Sequence, residues 1–217
     1  MKKTIVAALG FAAILGTSSA HAQKGFSLGV TAVPQFSFLQ NKNDNDNSSI
    51  NRKATFDAAF GISGGYNFSD RYGIGLDLLY GLQGQKYESG NNTAFQKVNY
   101  VKIPVYFAYT AAPASAISFT AKVGPQLGIL TGSKVTDGNG NDIISDTKGA
   151  FENTTFGAAA AAGVRFRLSK SLSLNTLARF DHDFTNAESD SYPGYNSSRA
   201  KTYNMTTGLE VGLKYAF

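Results

Sequence analysis

The sequence predicts an all-β protein: an eight-stranded antiparallel up-and-down β-barrel that crosses a membrane. Three observations support this fold class. The chain after residue 22 contains eight segments in which apolar and polar residues alternate, the links between them are alternately short and long, and the last segment alternates without a break to Phe217. Period-two alternation is typical of a strand whose two faces meet different surroundings.

The N-terminus predicts a cleaved secretory signal peptide over residues 1–22. A basic start at Lys2 and Lys3 precedes an apolar stretch, and Ala20-His21-Ala22 forms a small-x-small cleavage site. The apolar stretch is shorter than the roughly 20 residues that a membrane-spanning helix needs. We therefore expect one mature domain, residues 23–217. Its formal charge of +3, which is the +5 of the full chain less two lysines, is too small to indicate a nucleic-acid partner.

The eight alternating segments define the strands in chain order. They cover residues 25–39, 54–68, 72–83, 98–111, 117–131, 154–168, 172–184 and 201–217. The links after the second, fourth and sixth segments are short, whereas those after the first, third, fifth and seventh are long and polar. Outer-membrane barrels have short periplasmic turns and longer external loops. The pattern therefore predicts that both termini are periplasmic.

One face of each segment is apolar, with aromatic residues concentrated near its ends, as in the girdles of membrane barrels. The opposite face carries charges that must then point into the lumen, because Arg or Lys on the lipid side costs about 2–4 kcal/mol at the bilayer midplane. A soluble sandwich or a lipocalin-like barrel, with the apolar face inside, is the alternative. The predicted luminal charge network is Asp57, Asp77, Lys102, Lys122, Arg165, Arg167, Arg179, Asp181, Asp183, Glu210 and Lys214.

Six cations and five anions in this set are nearly balanced. An eight-stranded barrel is just wide enough for side chains to fill it, and unpaired charges away from bulk water are costly. We therefore expect a plugged or very narrow lumen, in which the charges pair with one another.

Three motifs in the middle of the chain resemble a known family. They are the Leu-Tyr strand ending in Gln83-Gly84, the Tyr100-Val101-Lys102-Ile103-Pro104 stretch, and Gly124-Pro125-Gln126-Leu127-Gly128. In this order they are similar to the porin-like outer-membrane β-barrel domain family of small Gram-negative barrels. The resemblance implies a bacterial outer-membrane location, and it transfers no catalytic residue.

The terminal strand also resembles the closing strand of such barrels, in which a tail ending in Phe is read by the insertion machinery. The resemblance implies an assembly signal formed by Leu209, Val211, Leu213, Tyr215 and Phe217. The partners that follow are outer-membrane lipid and lipopolysaccharide, the barrel-insertion machinery and periplasmic chaperones. No residue identifies an external ligand.

Catalysis and metal binding are the weaker hypotheses. His182, the one histidine of the mature chain, lies between Asp181 and Asp183, but adjacent strand residues point to opposite faces, so neither is well placed to orient it. Residues 137–142 begin like a calcium loop but lack the Gly and Glu that the EF-hand pattern requires. We therefore predict no catalytic residue, no metal and no cofactor.

The sequence thus favours a small, non-enzymatic outer-membrane barrel with a structural, adhesion or ligand-contact role through its external loops. A narrow porin-like channel for ions or small solutes is the alternative. An outer-membrane barrel hydrolase centred on His182 is the third hypothesis.

Overall fold

The computed structural model describes residues 24–46, 51–90, 92–193 and 195–217. The predicted signal peptide lies outside the described residues. Within these ranges there are nine strands, β1 (Gly25–Asn41), β2 (Asn51–Asn67), β3 (Tyr72–Ser89), β4 (Asn92–Thr110), β5 (Ile117–Asp137), β6 (Asp142–Ile144), β7 (Thr154–Arg167), β8 (Leu172–Asp183) and β9 (Thr202–Ala216). A short helix, α1 (Lys42–Asp46), follows β1, and a 3-10 turn (Lys148–Ala150) precedes β7.

Eight of the strands close into a ring with every neighbouring pair antiparallel. The order around the ring is β1, β2, β3, β4, β5, β7, β8 and β9, and β9 pairs with β1 from Ser27↔Ala216 to Asn41↔Thr202. The short β6 pairs only with the end of β5, outside the ring. The predicted eight-stranded up-and-down barrel is therefore confirmed, including its closure by the last strand.

The two ends of the barrel differ. Gly25 at the start of β1, Phe217 and the turns at residues 68–71, 111–116 and 168–171 lie at one end, which we call the termini end. The connections that contain α1, β6 and residues 184–201 lie at the other, the loop end.

Three strands extend six residues beyond the segments that the alternation predicts. Residues 84–97 are predicted as a long loop, but residues 84–89 belong to β3 and residues 92–97 belong to β4, and the two strands pair as far as Ser89↔Asn92. β5 likewise continues to Asp137. Side chains on both faces of these extensions meet polar surroundings, so the apolar alternation fades although the backbone pairing continues.

The outer wall is apolar along the middle of the barrel. Phe60, Ile62, Ile74 and Val123 are each at least half exposed, as in a surface made for lipid. Aromatic pairs lie toward both rims, among them Tyr72 with Tyr109 at the termini end and Phe36 with Phe56 toward the loop end. Among the described residues, no helix is long and apolar enough to cross a membrane.

An apolar layer fills the inside of the barrel toward the loop end. Its side chains, all less than 9% exposed, come from three strands and two connections: Leu39, Val98, Tyr100, Leu130, Phe151 and Ala187. The backbone holds the two connections in place, since Glu152 N–H donates to the carbonyl of Ala187 and Ala187 N–H donates to that of Thr202. Loop residues therefore complete the core of the barrel.

Candidate functional site: the barrel interior

Alternation along each strand directs the predicted luminal charges inward. Asp77, Lys102, Arg179, Asp181 and Glu210 are each no more than 4% exposed, although their strand neighbours face outward. Within this interior the charges do not form a single group. The structure sorts them into a central network, two acids toward the loop end and three cations at the termini end.

Arg179, on β8, is the centre of the network. Its Nε lies 2.9 Å from Asp181 Oδ1, and its Nη1 lies 2.9 Å from Glu210 Oε2 and 3.4 Å from Asp77 Oδ2. Its Nη2 donates to the amide oxygen of Gln126 at 3.4 Å. One planar guanidinium thus holds carboxylates from three strands, an arrangement for which its fixed fork of donors is suited.

Two lysines complete the network. Lys122 Nζ is 2.8 Å from both Asp77 and Glu210, and Lys102 Nζ is 3.3 Å from Asp181. Three cations therefore face three carboxylates, and the network is neutral. This balance, with several charge-assisted hydrogen bonds, offsets the cost of removing six charges from water.

Two hydroxyl groups also join the network, although their residues, like Gln126, are not in the predicted set. The Tyr106 hydroxyl donates to Asp77 Oδ1 at 3.1 Å, and the Thr206 hydroxyl donates to Asp181 Oδ2 at 3.1 Å. Each is an even number of residues from an inward-facing charge on its own strand, Tyr106 from Lys102 and Thr206 from Glu210. Including every inward-facing polar residue in the prediction would therefore have found both. The Tyr106 ring also packs over Gly75, where a Cβ would lie 2.6 Å from ring atoms. This close approach requires glycine.

The remaining predicted acids lie outside the network. Asp183 is buried and accepts a hydrogen bond from the Asn204 amide at 2.9 Å. Asp57 is partly exposed and lies 3.5 Å from the Ser37 hydroxyl. Neither forms an ion pair with another described residue.

Arg165, Arg167 and Lys214 lie at the termini end. Arg165 Nη2 donates to the carbonyl of Pro113 at 2.6 Å. Within the described part of the chain, none of the three cations has a carboxylate within 4.0 Å. The expectation that all luminal charges pair is therefore wrong for these cations, because the carboxylates lie nearer the middle and the loop end.

At the loop end, Arg199 links two connections. Its guanidinium makes a bidentate pair with Asp44 of α1, at 2.7 and 2.9 Å, and a second with Glu188, at 2.8 and 3.0 Å. The hydrogen bonds to Asp44 and Glu188 raise the pKa of Arg199 above its ordinary value. Burial, and then the charge of Asp44, raise the pKa of nearby Tyr87 to about 12. A cavity of about 510 Å³ lies beside this group of residues.

His182 faces away from the interior. Its ring lies 5.6 Å from that of Phe184 and 5.9 Å from that of Tyr203, measured between centroids. The adjacent Asp181 and Asp183 are buried on the other face of β8. His182 therefore belongs to the aromatic rim, and neither aspartate orients it as a general base.

The turn that resembles a calcium loop is held by its own hydrogen bonds. Asp137 Oδ1 accepts from the backbone N–H groups of Asn139 and Asn141, and Asp137 Oδ2 accepts from the Asn141 amide. These bonds, those from Asn141 first, lower the pKa of Asp137. In the described ranges, no three His, Cys, Asp or Glu residues are grouped closely enough to hold a metal ion.

The residues of the predicted assembly signal lie on the outer face of β9. Leu209, Val211 and Leu213 are between 37% and 46% exposed, and the rings of Tyr215 and Phe217 meet edge to face at 5.2 Å. The backbone N–H of Phe217 donates to the carbonyl of Phe26, which fixes the last residue against β1.

Comparison with known proteins agrees with this geometry. Neisserial surface protein A has a similar structure, with a TM-score of 0.52 and 13% sequence identity over 92% of this chain and all of that one. OprG from Pseudomonas aeruginosa gives a TM-score of 0.46 at 13% identity, over 90% of this chain and 98% of that one. A sequence comparison with curated proteins gives no match.

The match to a sequence family extends over almost the whole chain. The model of the outer membrane protein beta-barrel domain matches residues 5–217. The sequence resemblance to small outer-membrane barrels is thereby confirmed, and the bacterial outer membrane is the location that this family implies. With its closed eight-stranded ring, its lipid-facing wall and its charged interior, the chain belongs to the outer membrane protein beta-barrel domain family.

Proposed function

We propose that this protein is a closed, non-enzymatic barrel that contacts external ligands or surfaces through its loop end, and that its lumen does not conduct. The interior carries this proposal. A neutral network of three cations and three carboxylates crosses the lumen, and the apolar layer lies between that network and the loop end. Two consecutive layers of packed side chains support a lumen without a continuous aqueous path.

Conductance in planar lipid bilayers separates this proposal from the narrow-channel alternative. The folded wild-type protein is expected to give no steady ohmic conductance. Leu78→Ala, on the lipid-facing wall, is the matched control and is expected to behave like the wild type. Steady wild-type conductance that changes in Lys102→Ala but not in Leu78→Ala would support the channel and contradict the proposal.

The loop end has the organisation that a contact surface needs. Arg199 ties α1 to residues near Glu188 through four hydrogen bonds, and the Phe151↔Glu188 bridge joins the connection after β5 to the one after β8. Ordering these loops before contact reduces the entropy that binding must overcome. We infer that the loop end is a preformed surface.

The proposed orientation puts both termini in the periplasm. The short turns share the termini end and the long connections share the loop end, as in outer-membrane barrels. Because the chain has no cysteine, single cysteines report topology without background. In intact cells, a membrane-impermeant maleimide is expected to label Asn139→Cys but not Asp70→Cys, and to label both after lysis. The reverse pattern would contradict the orientation.

The assembly proposal rests on the terminal strand. We infer that the barrel-insertion machinery recognises the apolar side chains of β9 before this strand pairs with β1, and that the hydrogen bond from Phe217 to Phe26 forms when the barrel closes. Deletion of Phe217 is expected to lower the amount inserted in cells while leaving refolding in detergent micelles nearly unchanged. An equal loss in both assays would assign Phe217 a role in stability alone. Periplasmic chaperones and lipopolysaccharide complete the proposed partners.

A further inference from the structure

The termini end of the lumen holds a cavity whose charge is one-sided. Its volume is about 70 Å³, and Arg165, Arg167, Lys170 and Lys214 contribute to its lining. The rest of the lining consists largely of hydroxyl, amide and small side chains, with no carboxylate side chain among the lining residues. Asp70 is at the same end but lies on the β2–β3 turn and is exposed.

These cations are separated from the acids of the barrel. The three carboxylates of the central network are already matched by its three cations, while Asp57 and Asp183 lie toward the loop end. Lys214 extends its ammonium group toward β2, where a Cβ on Gly65 would lie 3.4 Å from Nζ. It therefore lies beside the backbone of another strand rather than beside a carboxylate.

Two buried polar atoms next to this cavity have no hydrogen-bond partner among the residues that the structure describes. They are Arg165 Nε, a donor, and Asn175 Oδ1, an acceptor. Buried polar groups without partners are costly, and each one requires an explanation. A smaller cavity of about 40 Å³ shares Asn175 and Lys214 with the first and extends to Lys122 and Glu210 of the network. One unpaired donor, one unpaired acceptor and several cations thus line the same part of the lumen.

We propose that the termini end of the lumen binds a phosphate group. Arg165 and Lys214 supply charge-assisted donors to its oxygens, and Arg167 and Lys170 supply positive charge at the rim. Asn175 Oδ1 accepts a hydrogen bond from a P–OH of a protonated phosphate or, for a phosphodiester, from a hydroxyl of its headgroup. Arginine is suited to planar, bidentate contact with phosphate, and lysine acts as a point charge. The cavity has room for one small oxyanion and its waters.

The test uses the folded mature chain in zwitterionic micelles at constant ionic strength. Inorganic phosphate replaces chloride while the backbone amide signals of Asn175 and Lys214 are followed by NMR. Saturable shifts confined to the termini end are expected. Lys214→Gln is expected to raise the Kd by about tenfold or more, because it removes a charge-assisted hydrogen bond. Lys201→Gln, which removes the same charge at the loop end, is expected to change the Kd by less than about twofold.

A second titration, with short-chain phosphatidylglycerol, identifies the source of the phosphate group. Saturation by inorganic phosphate indicates a free anion, whereas saturation by the lipid alone indicates a headgroup, and either result supports the site. Gel mobility without boiling verifies that each variant is folded. If Lys214→Gln does not fold, Arg167→Gln takes its place, because the Arg167 side chain is exposed. The proposal is overturned if neither probe saturates, or if the control weakens binding as much as the cavity variant does.

Discussion

Replacing Arg179 by methionine tests the reasoning about the central network. The substitution removes the contacts to Asp77, Asp181 and Glu210 and changes the network from three cations and three carboxylates to two and three. Asp77 and Glu210 retain Lys122 at 2.8 Å, but Asp181 retains only Lys102 at 3.3 Å and a threonine hydroxyl. Removing one partner of a buried ion pair costs about 3–5 kcal/mol, and we expect a loss of unfolding free energy in this range.

A second substitution separates lost charge balance from lost packing. Arg179→Met with Glu210→Gln leaves Lys122 with Asp77 and Lys102 with Asp181, so the central network is neutral again. Buried ion pairs can often be replaced by neutral groups of similar volume without large cost. The double variant is therefore expected to be more stable than Arg179→Met alone, with a coupling energy of about 2 kcal/mol.

Urea titration in lipid vesicles measures both effects. Because the chain contains no tryptophan, the folded fraction is followed by tyrosine fluorescence and by the mobility of unboiled samples on gels. The dependence of unfolding free energy on urea should stay constant, since the surface exposed on unfolding is unchanged. If the double variant loses as much unfolding free energy as the two single variants together, the charge-balance argument is refuted.

Three further predictions concern particular contacts. Gly75→Ala is expected to lower the unfolding free energy by about 1–3 kcal/mol, because its Cβ would meet the Tyr106 ring. Gly64→Ala, whose Cβ would have ordinary contacts, is the control and should cost less. Equal losses in the two variants would contradict this prediction. Arg199→Lys is expected to change the free energy of unfolding by less than about 1 kcal/mol. It should nevertheless speed hydrogen exchange and proteolysis in the loop-end connections, because lysine lacks the bidentate fork of arginine. Unchanged exchange there would argue against the role of Arg199 in joining the connections. The ultraviolet tyrosinate signal that Tyr87→Phe removes should titrate near pH 12. Burial favours the neutral phenol, so Tyr87 stabilises the folded state below the unfolded pKa of about 10. That stabilisation is lost as pH rises toward 12. Titration of Tyr87 near pH 10 would contradict its burial.

Much of the fold was predictable from local pattern. Alternation identifies which face of a strand meets lipid, so the inward positions of Asp77, Arg179 and Glu210 follow directly from parity. Strand ends were less predictable. Around Tyr87 the two faces of β3 meet similar polar surroundings, and no contrast in hydropathy marks a strand there even though pairing continues.

The partners within the interior were not predictable in the same way. Parity places eleven charges inside but does not give the height of each in the lumen, which depends on register and shear around the whole ring. Parity alone therefore groups the three cations of the termini end with carboxylates that lie at other heights in the lumen. The apolar layer was missed for a related reason, since Phe151 and Ala187 come from connections that fold back onto strands far away in sequence.

The unequal strand lengths have a consequence for any large body that approaches the cell. β5 has 21 residues and β8 has 12, and both begin near the termini end. Nine additional residues at about 3.4 Å each give about 30 Å along the strand, or about 23 Å of height at a tilt near 40°. In the proposed orientation the rim slopes, and β3, β4 and β5 form its high side. A flat particle would touch that side before the side formed by β7 and β8.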